Sequence, residues 1–310
     1  MSVSPAPGPN ERIGGDDTGA GRDAVDRSHV IRGVGPMMRV RSASVPAPGR
    51  IGNEDHVFRY GDLVGVLDGA TVPEGFDTGC VHGPEWYVRH LAARIGLATA
   101  QRPAAALAGN LAAAILAVRA DHDGRCDLDH PGTPSATVCL LRYGGDHIDY
   151  LVLCDSPLIL DRGERIEVIS DNRLDTAMAD LRQKALSLTG HDADHVTRFR
   201  RSVTLQREQM NQTHGYWVAA ANPDAAFHAV TGSRPLTGPD RVRRAALLTD
   251  GTSRAVEQFD LFDWRGLLDL LSSAGPDELI RRVRLAEADD GQRRSGFKRY
   301  DDATAVLCEL

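Results

Sequence analysis

The order of elements in this sequence predicts an α+β domain, with helices segregated outside antiparallel sheets rather than alternating with parallel strands. Two observations carry that expectation. Strand-like runs come in groups joined by turns too short for a crossover, at Arg59–Asp62, at Gly144-Gly145-Asp146 and at Arg162-Gly163-Glu164. Helix-like runs fall between those groups, mostly in pairs. A chain of 310 residues, 42% of them hydrophobic, is long enough to bury the core that such layers require.

Taken in order, residues 1–36 are rich in Gly, Pro, Asp, Arg and Ser and read as a flexible tail, leaving 37–310 as the folded domain. RVRSASVPA, from Arg39, alternates like a strand, and the two runs around Arg59–Asp62 form a hairpin. Helices are expected over Glu85–Ala98, where Trp86, His90, Leu91 and Ile95 share a face, and over the alanine-rich Pro103–Asp121. SATVCLLRY, HIDYLVLCDS, SPLILDR and RIEVIS then make an antiparallel meander. Asn172–Leu188 and Asp192–Gln212 read as a polar helical pair, with Asp192 or Asp194 as N-cap. GYWVAA, AAFHAV and AALLTDG read as strands, followed by helices over Ser253–Phe259, Asp263–Ser273 and Pro276–Ala288 and a last strand, ATAVLCEL.

A net charge of -7 gives no broad basic surface, which argues against nucleic acid and anionic membranes as partners. No run approaches the roughly 18 apolar residues of a membrane span, and the N-terminus lacks the apolar core of a signal peptide, so a cytoplasmic protein is expected. The five cysteines, Cys80, Cys126, Cys139, Cys154 and Cys308, show no CxxC and no Cys/His pair at zinc-finger spacing. They read as buried thiols in a reducing compartment rather than as a disulfide framework or a zinc site.

The acids are distributed unevenly. LVGVLDG ends on Asp68, YLVLCDS on Asp155 and AALLTDG on Asp250. One Asp-Gly after a strand is ordinarily a turn, because Asp bonds back to the backbone and Gly accepts positive φ. Three strand-end acids in one chain suggest more, since a sheet can gather its strand ends in space. Glu54 and Asp55 begin a strand, Arg50 stands four residues before Glu54, and Asp301 and Asp302 precede the last strand. Such a carboxylate-rich, histidine-poor inventory suits magnesium or manganese, which prefer hard oxygen donors. DHDGRCDLDH, residues 121–130, reads as a solvated loop. Ser156 lacks a GxSxG setting, Cys154 lacks a His/Asn partner motif, and there is no phosphate-binding GxxxxGK[ST] loop.

The ordered set RIGNED, VLDG, TPSATV, LCDSPLIL, LLTDG and YDDATAVL resembles the metal-dependent protein phosphatases of the PPM family, the type 2C serine/threonine phosphatases, from about Met38 to Leu310. The resemblance implies a four-layer α/β/β/α sandwich of two antiparallel sheets flanked by helices, with a binuclear metal centre at one end. It implies that Asp68 bridges two manganese or magnesium ions, that the Gly69 carbonyl and Glu54, through water, serve one ion, and that Asp250 and Asp301 serve the other. Asp55 would stand behind these ligands, and Arg50 would hold the substrate phosphate, a task suited to a planar fork. Asp155 with Asp250 would correspond to the third, weaker metal site of bacterial members. The substrate class implied is phosphoserine or phosphothreonine in proteins, hydrolysed by metal-activated water without a phosphoenzyme. The alternatives are a small-molecule phosphatase on the same fold and an inactive relative acting as a binding module.

The sequence departs from the family pattern in three places. Where members continue as DGxGGH, this chain has ATVPEGFDTGC, and His82 is the nearest downstream histidine, a candidate leaving-group acid weighed against an incidental one. Cys154 stands where a glycine is usual, and Pro157 where an arginine is common. The segment 172–212 matches the family's variable flap in position.

Overall fold

A computed structural model of the chain describes residues 38–72, 75–179, 203–289 and 299–310. Among these residues, ten strands form two five-stranded sheets, each wholly antiparallel. The first joins β1 (Arg39–Val45), β10 (Ala303–Glu309), β9 (Arg244–Leu248), β6 (Leu158–Asp161) and β7 (Ile166–Ile169) in that spatial order. The second joins β2 (Asp55–Tyr60), β3 (Leu63–Gly69), β4 (Ala136–Tyr143), β5 (His147–Leu153) and β8 (Val230–Pro235). The three short turns predicted from sequence connect β2 to β3, β4 to β5 and β6 to β7.

The layers follow from how each strand divides its apolar residues. Along β3, Leu63 and Leu67 join Leu140 and Leu151 under α1 (Pro84–Gln101) and α2 (Leu107–Asp121), packing on Leu91, Ile95, Leu111 and Ile115. Val64 and Val66 face the other way and meet Leu158, Leu160, Leu247 and Val306 of the opposing sheet. The outer face of that sheet, including Ala246, Leu248 and Leu307, is covered by α3 (Asp250–Glu257), α4 (Trp264–Ser273) and α5 (Pro276–Asp289) through Leu267, Leu271, Leu279 and Val283. Strands covered on both faces lose the apolar/polar alternation, which is why LVGVL reads as a continuous apolar run. The result is the α/β/β/α sandwich implied by the resemblance.

Three local expectations are corrected, and one strand was missed. AAFHAV is not a strand: Pro223–His228 is a 3-10 turn, because Asn222 accepts the Asp224 amide at 2.9 Å and Pro223 fixes the first helical φ. The edge strand is instead the mostly exposed VTGSRP of β8, whose lack of apolar alternation hid it. GYWVAA contributes only isolated bridges, Ala136 with Ala219 and Met210 with Tyr216. Asp250 does not end a strand; β9 stops at Leu248 and Asp250 opens α3, where an acid is favoured by the helix dipole.

Residues 173–179 and 203–208 are helical. The rest of the polar helical pair, 180–202, and the tail, 1–36, lie outside the described residues.

Candidate metal and active site

Asp68, Asp155, Asp250 and Asp301 line one cleft of about 310 Å³, together with Gly69. The two sheets deliver them from different directions. Asp68 is the penultimate residue of β3, paired in register with Asp55 on β2 and Thr137 on β4. Asp155 lies in the turn after β5, Asp250 is the first residue of α3, and Asp301 precedes β10.

Gly69 is needed for close approach, not for a bend. It continues β3 opposite Ala136 and donates its amide to the Glu54 carbonyl at 2.9 Å. A Cβ there would stand 2.7 Å from that carbonyl oxygen and 3.0 Å from Pro84. The residue that does take a left-handed conformation is Cys154, at φ 69°, where members of the resembling family carry glycine. That backbone turn aims Asp155 into the cleft.

Burial and mutual repulsion act on these acids together. Burial, then the charges of Asp55, Asp250, Asp301 and Asp155, push the Asp68 carboxyl well above its usual range. Burial, then Asp250, raises Asp155 to about 7. Asp55 is raised to about 8 by burial, against the lowering effect of hydrogen bonds from Thr304 and Thr249. The Thr249 hydroxyl donates to Asp55 at 2.9 Å, so this acid of one sheet is anchored on the other. The carboxylates that converge here offer oxygen, the donor magnesium and manganese prefer.

Arg50 and Glu54 pair with each other through two bonds of 2.9 Å, and neither lines the cleft. Glu54 also accepts the hydroxyl of Thr71, a cleft residue. The Glu54 hydrogen bond is the main reason the Arg50 guanidinium is raised further. Asp302 does not face the cleft; its carboxylate receives the amides of Ala47 at 2.7 Å and Glu54 at 2.6 Å, fixing the segment that carries Arg50.

Two arginines of the site carried no sequence signal. Arg207, buried at 6% exposure, lines the cleft and donates to the carbonyls of Thr133 at 3.0 Å and Ala70 at 3.3 Å, holding two walls together. Arg254 on α3 bonds Glu287 at 2.9 Å and reaches Asp301 at 3.8 Å. Among the described residues, Arg254→Met leaves the buried Glu287 carboxylate with Arg284 alone, and should lower stability by about 3 kcal/mol. A urea midpoint that stays put at constant m would contradict that reading.

The candidate acid His82 is not in the cleft. It stacks on Trp86 at 4.0 Å between ring centroids and turns Nδ1 toward the thiols of Cys80 and Cys126, 3.6 and 3.5 Å away. The reading of scattered buried thiols is therefore corrected. Cys139, Cys154 and Cys308 are buried, but Cys80 and Cys126 are only partly so and meet, with His82 and His122, in one group. The solvated-loop reading of 121–130 holds for residues 123–125, 127 and 129, which are exposed, but not for His122, which is buried, or Cys126, which is partly so. Spacing concealed the group because its halves lie on either side of α1 and α2.

No family model matches the sequence, and no curated protein matches it. Solved structures do resemble it. The serine/threonine phosphatase PstP/Ppp of Mycobacterium tuberculosis superposes with a TM-score of 0.53 at 18% identity, over 88% of this chain and 98% of that one. The PPM Ser-Thr phosphatase MsPP of Mycobacterium smegmatis, in complex with cacodylate, gives 0.50 at 18% over 87% and 97%. The catalytic domain of PstP in complex with 2 manganese ions gives 0.51 at 17% over 88% and 97%. The fold of this chain is that of the PPM serine/threonine phosphatases.

Proposed function

We propose that the protein is a metal-dependent phosphatase that hydrolyses phosphoserine and phosphothreonine in proteins. The observation that carries this reading is the convergence of Asp68, Asp155, Asp250 and Asp301 on one cleft, four carboxylates in a lining that contains no histidine. Asp68, Asp250 and Asp301, with the Gly69 carbonyl and Glu54 through water, would hold two manganese or magnesium ions, as the PstP complex with 2 manganese ions suggests. Asp155 with Asp250 would hold a third. Such ions lower the pKa of water toward neutrality and neutralise phosphoryl charge.

The chain's own groups supply the rest. Arg50 offers a fork for two phosphate oxygens once it exchanges Glu54 for substrate, and Arg207 keeps the Ala70 and Thr133 walls in place around them. Neither Ser156 nor Cys154 is set up as a nucleophile. Ser156 is fully buried and bonded to Thr137, and burial drives the Cys154 thiol well above its usual range. Attack by water is the reading these two residues leave.

The test is hydrolysis of p-nitrophenyl phosphate and of phosphoserine and phosphothreonine peptides by the full chain. Manganese should stimulate turnover and a chelator should abolish it. Absence of metal-stimulated turnover by folded protein would overturn the enzyme reading, and turnover of phosphorylated metabolites but not peptides would overturn the substrate class. Arg50→Ala should raise KM for the phosphomonoester about tenfold, the loss of one charge-assisted contact. An unchanged KM would remove Arg50 from phosphate binding.

A further inference from the structure

We propose that Cys80, His82, His122 and Cys126 form a structural zinc site, separate from the acidic cleft, that clips the loop entering α1 to the loop leaving α2. The four donor atoms lie within 4.8 Å of one another, and none of the four residues lines the cleft. Two sulfurs and two imidazole nitrogens are the donor set of a closed tetrahedral zinc site, and a poor one for magnesium or manganese.

His122 supplies the most specific evidence. It is 3% exposed, its Nδ1 lies 2.8 Å from the Val118 carbonyl, and its Nε2 is buried with no hydrogen-bond partner. Donation from Nδ1 to a carbonyl fixes the tautomer that leaves a lone pair on Nε2, the usual arrangement behind a metal-bound histidine. A buried imidazole nitrogen without a partner is otherwise costly. A zinc ion satisfies it.

The backbone prepares the other ligands. Asp123 and Gly124 are both left-handed, at φ 53° and 67°, which turns the chain sharply enough to bring Cys126 back beside His122. The His82 amide donates to the Cys80 sulfur at 3.3 Å, an interaction that favours a thiolate. Trp86 stacks on His82 and meets His122 edge-on at 4.7 Å, fixing both ring planes. The loops also touch directly, Asp127 donating to the Gly79 carbonyl at 2.7 Å.

The distances suit the ion with a small adjustment. The two Cys–His82 separations, 3.6 and 3.5 Å, match the sulfur–nitrogen edge of about 3.5 Å in a tetrahedron of ordinary zinc bond lengths. The sulfurs, 3.1 Å apart, must open to the sulfur–sulfur edge of about 3.8 Å. They are much farther apart than the bond of about 2.05 Å in a disulfide. On binding, each thiol gives its proton to solvent; two thiolates then balance the dication, and the site is neutral. The unusual ATVPEGFDTGC segment thus acquires a purpose, since it leads from the cleft residues Asp68–Thr71 to Cys80.

The full chain purified without chelator should contain about one zinc per molecule by mass spectrometry of the metal. Cys126→Ser should reduce this more than about tenfold, whereas Asp68→Asn should keep it. Should Cys126→Ser not fold, the wild-type chain loaded with cobalt should show the intense visible bands of a tetrahedral ion and a thiolate-to-cobalt charge-transfer band. Zinc that survives Cys126→Ser but is lost in Asp68→Asn belongs to the cleft and overturns the proposal. So does zinc-free protein whose cobalt form lacks the charge-transfer band, or an intact mass short by two hydrogens with Cys80 linked to Cys126. None of these measurements depends on phosphatase activity.

Discussion

Asp68→Asn is expected to lower manganese-dependent kcat/KM by about a thousandfold, or about 4 kcal/mol of transition-state stabilisation. The side chain stands where Asp55, Asp155, Asp250 and Asp301 all bear on it, so it is the acid most central to the proposed ion pair. An amide keeps the shape but removes the charge that would bridge two dications. The same substitution should have the opposite sign on the metal-free fold. There the carboxyl is held above its usual range by burial and like charges, so a neutral amide removes a source of repulsion. The metal-free variant should melt a few degrees higher than metal-free wild type, about what 1 kcal/mol gives in a chain of this size. Turnover that survives with manganese would sink the proposed role of Asp68; a lower metal-free melting temperature would sink the electrostatic account.

The layers were legible because burial on two faces writes a simple pattern. LVGVL and ATAVL have no polar alternation, the Gly-containing turns mark their ends, and helix pairs interrupt the strand groups. AAFHAV misled for a definite reason: Ala225 and Ala226 are buried against α2 as a 3-10 turn buries them, and an Asn-Pro cap outweighs a short apolar run. VTGSRP was invisible because an exposed edge strand needs no apolar face. In the cleft, the acids were legible as strand ends and pairs, although Asp250 opens a helix and Gly69 continues a strand.

What the sequence hid are contacts set by tertiary approach. Arg207 sits in a polar stretch where any arginine would look like helix surface, and only the fold turns it toward Thr133 and Ala70. Arg254 lies in the first turns of α3 and gives no hint that Glu287, on α5, will neutralise it. The Cys/His group is the extreme case. Its two halves, Cys80-Val81-His82 and His122 to Cys126, meet because α1 and α2 return the chain to the same edge of the sandwich. No local spacing rule reads across a helical hairpin.

Metal-free protein should lose stability as the pH rises from about 4 to about 8, while manganese-loaded protein should not. Asp155 is raised to about 7 and Asp55 to about 8, each from the ordinary aspartate value of 3.8, and Asp68 is raised as well. Between those limits the folded state holds protons that the unfolded chain has released. Stability therefore falls with pH, by up to about 1.4 kcal/mol per unit for each group while it titrates. Below the unfolded value both states are protonated and the penalty vanishes. Cations reverse the sign, because they bind the deprotonated acids: affinity grows with pH, and saturation at a hundredfold excess over Kd adds about 2.7 kcal/mol per site. Urea midpoints measured across this range, with chelator and with manganese, should diverge steadily as pH rises. Parallel curves would mean that these acids do not share their charge with a bound cation.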